Sequence, residues 1–255
     1  MMIDNGDSFP VANTSLKESA SSCNPVMRIP LGIPGLDDIL HGGLPVGNNI
    51  LVQGEPGTGK TVLAMHFLHA GIQQYRQPGL LILFEEHPSR VYRDAQIFGW
   101  DFHKHEEANM LRVIFTSPDV FVKEIENHYY AELVLQYGFQ RIAIDSISHI
   151  ELLNMDMPAL RLELDKITNA LRRHGLIALL TRERHTHHEL AIHPAEYICD
   201  TVLTLSQRSG EDGHIRELEI WKHRGSSYVG GMHRFSIARG IILDRPGEGA
   251  DTNER

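Results

Sequence analysis

The chain has 255 residues, 42% of them hydrophobic, with a net charge of −9 and an isoelectric point near 5.9. That length accommodates one large α/β domain with a buried core, and the acidic balance disfavours a protein that coats nucleic acid over its whole surface. Cys23 and Cys199 give neither a metal spacing nor a disulfide framework, and no apolar run of about 18 residues or signal-type start argues for a membrane or export, so a cytoplasmic protein is expected.

Residues 1–26 and 245–255 are polar and without periodicity, so both are expected to be flexible tails around a domain at 27–244. Within it, NILVQG at 49–54, LLILFEE at 80–86, LRVIFTS at 111–117, RIAIDS at 141–146 and LIALLTRE at 176–183 read as five strands. Helical segments fall between them. The clearest is 159–174, where Leu160, Leu164, Ile167 and Leu171 share one face and Gly175 supplies a stop signal. Continuous apolar strands alternating with helices predict an α/β fold, a mostly parallel sheet with helices on both faces. After Asp200, the segments DTVLTLS, RELEIWKH and HRFSIARG alternate with turn residues, which predicts a C-terminal antiparallel β extension.

Gly54, Gly59, Lys60 and Thr61 satisfy G-x-x-x-x-G-K-[ST], with Glu55, Pro56, Gly57 and Thr58 filling the loop and Val62 continuing into the helix. The motif leaves a strand and enters a helix. There the glycines free backbone N–H groups to wrap phosphates, and the helix N-terminus adds a favourable dipole. Lys60 is then expected on the β- and γ-phosphates of a nucleotide and Thr61 on Mg²⁺. Asp145, closing the apolar run RIAI, is the candidate second metal-holding group. Ser146 either polarises the γ-phosphate or caps a turn.

Hydrolysis needs a group that orients water. Glu85 and Glu86 end another strand, where neighbouring side chains point to opposite sides, so one is expected as base and the other as support. The alternative is an acidic cap for a helix starting near Pro88. His185, His187, His188 and His193 crowd one loop, and His103 and His105 lie close together in DFHKHEE. Without Cys or a helical register they read as solvated rather than metal-bound, with a ring pore as one place for the first loop. Segments 147–160 and 185–198 hold no Lys or Arg, which weighs against a DNA-dependent recombinase and a nucleic-acid partner.

GIPGLDDILHGGLPVG at 32–47, GEPGTGKT, FEEHPSRVYRDAQIFGWD, IAIDSIS, LLTRERH and WKHRGSSY together resemble a single KaiC-type domain of the RecA/RadA superfamily of P-loop NTPases, over about 28–244. The resemblance implies a RecA-like fold, ATP as nucleotide with Mg²⁺, and a homohexameric ring with sites between subunits. It puts the catalytic glutamates on Glu85 and Glu86. It also implies that Lys222 and Arg224, flanking His223, reach the neighbouring subunit's γ-phosphate, with Ser226 and Tyr228 lining the nucleotide and Trp221 in the core. Slow hydrolysis coupled to a signal read by a protein partner is the implied function; a non-hydrolysing scaffold and a RadA/RecA-like DNA-dependent ATPase are the alternatives. AEYIC before Asp200 and Thr201 lacks Ser and Thr, so clock-type self-phosphorylation is not implied.

Overall fold

The computed structural model describes residues 27–153, 156–184, 192–210 and 213–244. The two expected tails and His185, His187 and His188 lie outside the described residues. An antiparallel ribbon, β1 (Arg28–Ile29) with β2 (Leu44–Pro45), brackets the short helix α1 (Leu36–Ile39). Then come β3 (Ile50–Gly54), α2 (Lys60–Tyr75), β4 (Gly79–Leu83), α3 (Pro88–Ile97), α4 (Phe102–Glu107), β5 (Leu111–Phe115), α5 (Pro118–Glu126) and α6 (Tyr129–Tyr137). The chain continues through β6 (Arg141–Asp145), α7 (Ser148–Glu151), α8 (Met157–Arg173), β7 (Ile177–Glu183), α9 (Pro194–Ile198), β8 (Thr201–Gly210), β9 (Gly213–His223), β10 (Met232–Ile237) and β11 (Ile241–Leu243).

One nine-stranded sheet runs in the order β11-β10-β9-β8-β3-β7-β6-β4-β5. The pairs from β5 to β8 are parallel and those from β8 to β11 antiparallel. The antiparallel extension after Asp200 is present as the sequence pattern implies, and β8 joins it to the rest of the sheet, antiparallel to β9 and parallel to β3. Side-chain alternation sorts the core onto the two faces. Ile50, Val52, Leu81, Leu83 and Ala143 pack with α2, while Leu51, Leu80, Ile82, Ile142 and Ile144 pack under α5, α6 and α8.

The local chemistry of α8 accounts for its ends. Asp156 accepts a hydrogen bond from Ala159 N at 2.8 Å, Pro158 sits in the first turn, and Gly175 just past the helix takes φ +70°. A buried cation fixes the other face of the sheet. Arg141 is fully buried and donates to Gln77 Oε1, Leu31 O, Phe67 O and Pro30 O at 2.7–2.8 Å, with its guanidinium 4.7 Å from the Phe67 ring. It thereby ties the start of β6 to α2 and to the segment after β1. Gly71 leaves room for it, since a Cβ there would stand 2.4 Å from Arg141 Cδ.

Candidate nucleotide-binding and catalytic site

The glycine-rich loop joins β3 to α2 at the carboxyl edge of the parallel strands, where ligands of open α/β sheets bind. Gly59 takes φ +107° as it enters α2, a conformation that glycine adopts without strain. Lys60 is buried, and its Nζ donates back to the loop, to Gly54 O at 3.0 Å and Glu55 O at 2.9 Å. Burial pushes the Lys60 ammonium below its ordinary range, opposed by the charges of Glu183 and Asp145. Thr61 Oγ1 donates to Asp145 Oδ2 at 2.7 Å, and the Thr181 hydroxyl holds the other Asp145 oxygen in a short contact. The Asp145–Ser146 peptide is cis, and Ser146 Oγ accepts from Ser148 N at 3.1 Å, capping the turn into α7 while lining the same cavity.

That cavity has a volume of about 330 Å³. Around Lys60 and Thr61 it gathers four carboxylates: Glu85, Glu86, Asp145 and Glu183. The donor set answers whether Mg²⁺ fits. A hydroxyl and a carboxylate 2.7 Å apart are hard oxygen ligands, and an excess of carboxylates over the single amine suits a metal–nucleotide complex better than a bare anion. Thr61 and Asp145 are the residues that would hold the cation.

The two glutamates depart from the strand geometry inferred above. β4 ends at Leu83, so Glu85 and Glu86 stand in a bend and both line the cavity instead of pointing to opposite sides. The acidic-cap alternative is also displaced, because His87 caps α3, its Nδ1 accepting from Ser89 N at 3.3 Å. Glu86 lies 3.7 Å from Arg90, and its carboxyl is pushed up chiefly by burial. Glu85 is approached by His149 Nε2 at 3.2 Å. His149, Thr181 and Glu183 escaped the sequence reading. Glu183 carried a visible signal, a carboxylate ending the strand beside the loop, whereas a lone His after an apolar strand carried none.

Lys222 and His223 close β9, with Arg224 in the turn just after it, at the opposite end of the strands from the loop. Gly54 pairs with Leu205, whereas Lys222 pairs with Val202 and Arg224 N donates to Asp200 O at 2.9 Å. Lys222 Nζ donates to the carbonyls of Glu196 at 2.7 Å and Tyr197 at 3.0 Å, and Arg224 Nη2 to Tyr197 O at 3.0 Å. His223 is buried with Nδ1 2.9 Å from Thr201 Oγ1. Ser226 is bonded by Arg28, and Tyr228 packs against the core, so neither meets its own chain's loop. Trp221 is 56% exposed; it alternates with buried Ile220 on β9 and so points away from the core position inferred for it. Beside Arg224, a second cleft of about 710 Å³ brings in Arg161 and Arg172 against Asp165 and Asp200.

Two of the histidines expected to be solvated, His193 and His105, are instead buried. His193 caps α9 and lies 3.3 Å from Glu151, His105 bonds His69 at 3.1 Å, and His103 stacks on Tyr92. Among the described residues no group of three or more His, Cys, Asp or Glu is arranged to hold a metal, and no helix is long and apolar enough to cross a membrane.

Comparison with known proteins places this geometry. The family profile described as "ATPase: KaiC" matches residues 29–245. The circadian clock oscillator protein KaiC of Prochlorococcus marinus (strain MIT 9313) is 32% identical over 235 residues, 88% of this chain and 47% of that protein. The same protein of Synechococcus elongatus is 32% identical over 215 residues, 80% and 41% respectively. The chain thus spans under half the length of these curated relatives. The crystal structure of a KaiC-like protein from the hyperthermophilic archaeon Pyrococcus horikoshii OT3 superposes with a TM-score of 0.76 at 30% identity, covering 86% of this chain and 100% of that one. A nucleotide loop at the edge of a RecA-like sheet, over the matched span, makes this chain a member of the KaiC ATPase family.

Proposed function

We propose that the chain is a cytoplasmic, Mg²⁺-dependent ATP hydrolase that works as a ring, each site completed by the next subunit, and that its nucleotide state is read by a protein partner. One observation carries the reading. The cavity that holds Lys60, Thr61 and Asp145 is rich in carboxylates, while the cations Lys222 and Arg224 sit at the far end of the same sheet. A molecule with an acidic pocket at one end and a cationic face at the other is complementary to a second copy placed head to tail, and such heterologous contacts give a ring when the rotation between neighbours closes.

In this scheme the loop N–H groups and Lys60 bind the β- and γ-phosphates. Thr61 and Asp145 hold Mg²⁺, which when bound neutralises charge on the transferring phosphoryl group. Glu85 and Glu86 orient the attacking water, one taking its proton. The neighbour's Arg224, with Lys222, stabilises charge developing on the phosphate, and the neighbour's Ser226 and Tyr228 help to enclose the nucleotide. Val62, Pro56 and Gly57 line the pocket, and Thr58 braces the loop through its hydroxyl, which donates to Glu55 O at 2.8 Å.

A second reading, a nucleotide-dependent scaffold without turnover, is favoured by the 72% exposure of the Glu85 side chain. Phosphate release from Mg-ATP, measured on size-separated fractions, decides between them. Turnover confined to the oligomer and abolished by Glu85→Gln and Glu86→Gln together supports the hydrolase. Tight ATP binding with no phosphate released supports the scaffold.

A further inference from the structure

We propose that His149 is the positioning residue for Glu85, selecting it over Glu86 as the group that receives the proton of the attacking water. The proposal rests on the hydrolase reading above and deepens it. His149 projects from α7, half-buried, into the cavity that holds Lys60 and both glutamates. Its Nδ1 lies 3.3 Å from Ser146 O and its Nε2 lies 3.2 Å from Glu85 Oε2. The ring therefore bridges the turn that follows Asp145 to one glutamate, while the other glutamate faces Arg90.

A count of donors and acceptors gives this bridge a chemical meaning. A backbone carbonyl only accepts, so the contact to Ser146 O calls for a hydrogen on Nδ1. A neutral imidazole then has a lone pair at Nε2, and a lone pair 3.2 Å from an ionised carboxylate oxygen is repulsive. The contact is favourable only with one proton on the line between Nε2 and Oε2. On a neutral ring, that proton is the one hydrolysis delivers. As water attacks, its oxygen bonds to the γ-phosphorus, the bridging P–O bond breaks with its electron pair leaving on ADP, and the water's proton moves to Glu85. The protonated carboxyl then donates to His149 Nε2. The arrangement thus complements Glu85 after proton abstraction better than before it, which is the sense in which a site favours its transition state.

Other charged groups facing the ring do not offer the same service. Glu86, Asp145, Glu183 and Lys60 line the cavity around it, but Asp145 is held by Thr61 and Thr181 and Lys60 by the loop carbonyls. On α7 itself, Glu151 is turned to Arg182 and His193.

The test is Mg-ATP turnover from pH 5.5 to 9 for the wild type, His149→Ala, His149→Gln, Glu85→Gln and Glu86→Gln, with binding of a fluorescent ATP analogue as a check on folding. His149→Ala is expected to lower kcat about ten-fold with KM within two-fold, and to remove one limb of the pH profile. His149→Gln, whose amide oxygen accepts the same hydrogen without titrating, is expected to recover part of kcat and to lack the limb. Glu85→Gln is expected to cost more than Glu86→Gln. An unchanged kcat, a rise in KM alone, or an unaltered pH limb in either His149 variant overturns the proposal and leaves the hydrolase standing. Where His149→Ala does not fold, His149→Gln decides by the same limb. A wild type that binds ATP and releases no phosphate overturns both.

Discussion

Arg224→Ala separates a site built within one chain from a site shared between two. Arg224 pairs through its backbone with Asp200, five residues before the Leu205 that faces Gly54, so at about 3.3 Å per residue it lies roughly 17 Å from its own loop. Across that distance in water one charge contributes about 0.25 kcal/mol, a factor of about 1.5 in rate. Delivered by a neighbour into contact with the phosphate, the same guanidinium is worth about a thousand-fold or more. The assay is phosphate release per loop, first for Arg224→Ala alone and then for equal mixtures with Lys60→Ala, which lacks a working loop but keeps its cationic strand. Rings assembled at random from the two contain about one boundary in four where an intact loop meets an intact strand, so about a quarter of wild-type turnover should return. A loss below three-fold in Arg224→Ala, or a mixture as inactive as its parts, refutes the shared site.

Thr61→Val and Asp145→Asn each remove one oxygen of the pair that would hold the cation; ATP affinity in EDTA should be unchanged while the gain on adding Mg²⁺ falls at least ten-fold, as titration calorimetry can read. Arg141→Met strips four acceptors, two of them buried and two part-buried, of their donor and should lower the unfolding free energy by about 3–5 kcal/mol in urea melts. Burial pushes His66 down to about 4, so between about pH 4 and 6.5 the unfolded chain binds the proton that the native one refuses. Stability attributable to His66, on the order of 3 kcal/mol, is present above about pH 6.5 and drains away on acidification towards pH 4; His66→Phe should flatten that slope in denaturant midpoints taken at each pH. Cys199, fully buried with its thiol pushed up to about 12, should resist alkylation at pH 8 until denaturant is added.

The parallel strands were readable because burial on both faces leaves an unbroken apolar run, and NILVQG, RIAIDS and LIALLTRE each contain an observed strand. α8 was readable because period and cap agree. What failed were features set by partners distant in the chain. DTVLTLS does pair antiparallel with β9 as its pattern suggests, but its other neighbour is β3, about 150 residues earlier, and no local pattern encodes that parallel ladder. Glu85 and Glu86 were placed by extending a strand three residues too far, into the bend that begins where β4 stops. Lys60, Thr61 and Asp145 were legible as a site because motif spacing fixes the loop. His149 was not, since its meaning comes only from the turn that carries it back over Glu85.

The bonds from Lys60 to Gly54 O and Glu55 O also set an entry threshold. With two of its three ammonium hydrogens given to loop carbonyls, Lys60 should bind chloride, acetate or a single orthophosphate weakly, since none of them repays both carbonyls it would displace. A chain of three linked phosphates approaches with several negative oxygens at once and can. Selectivity for polyphosphates over smaller anions would in this way be set before any base or sugar is recognised.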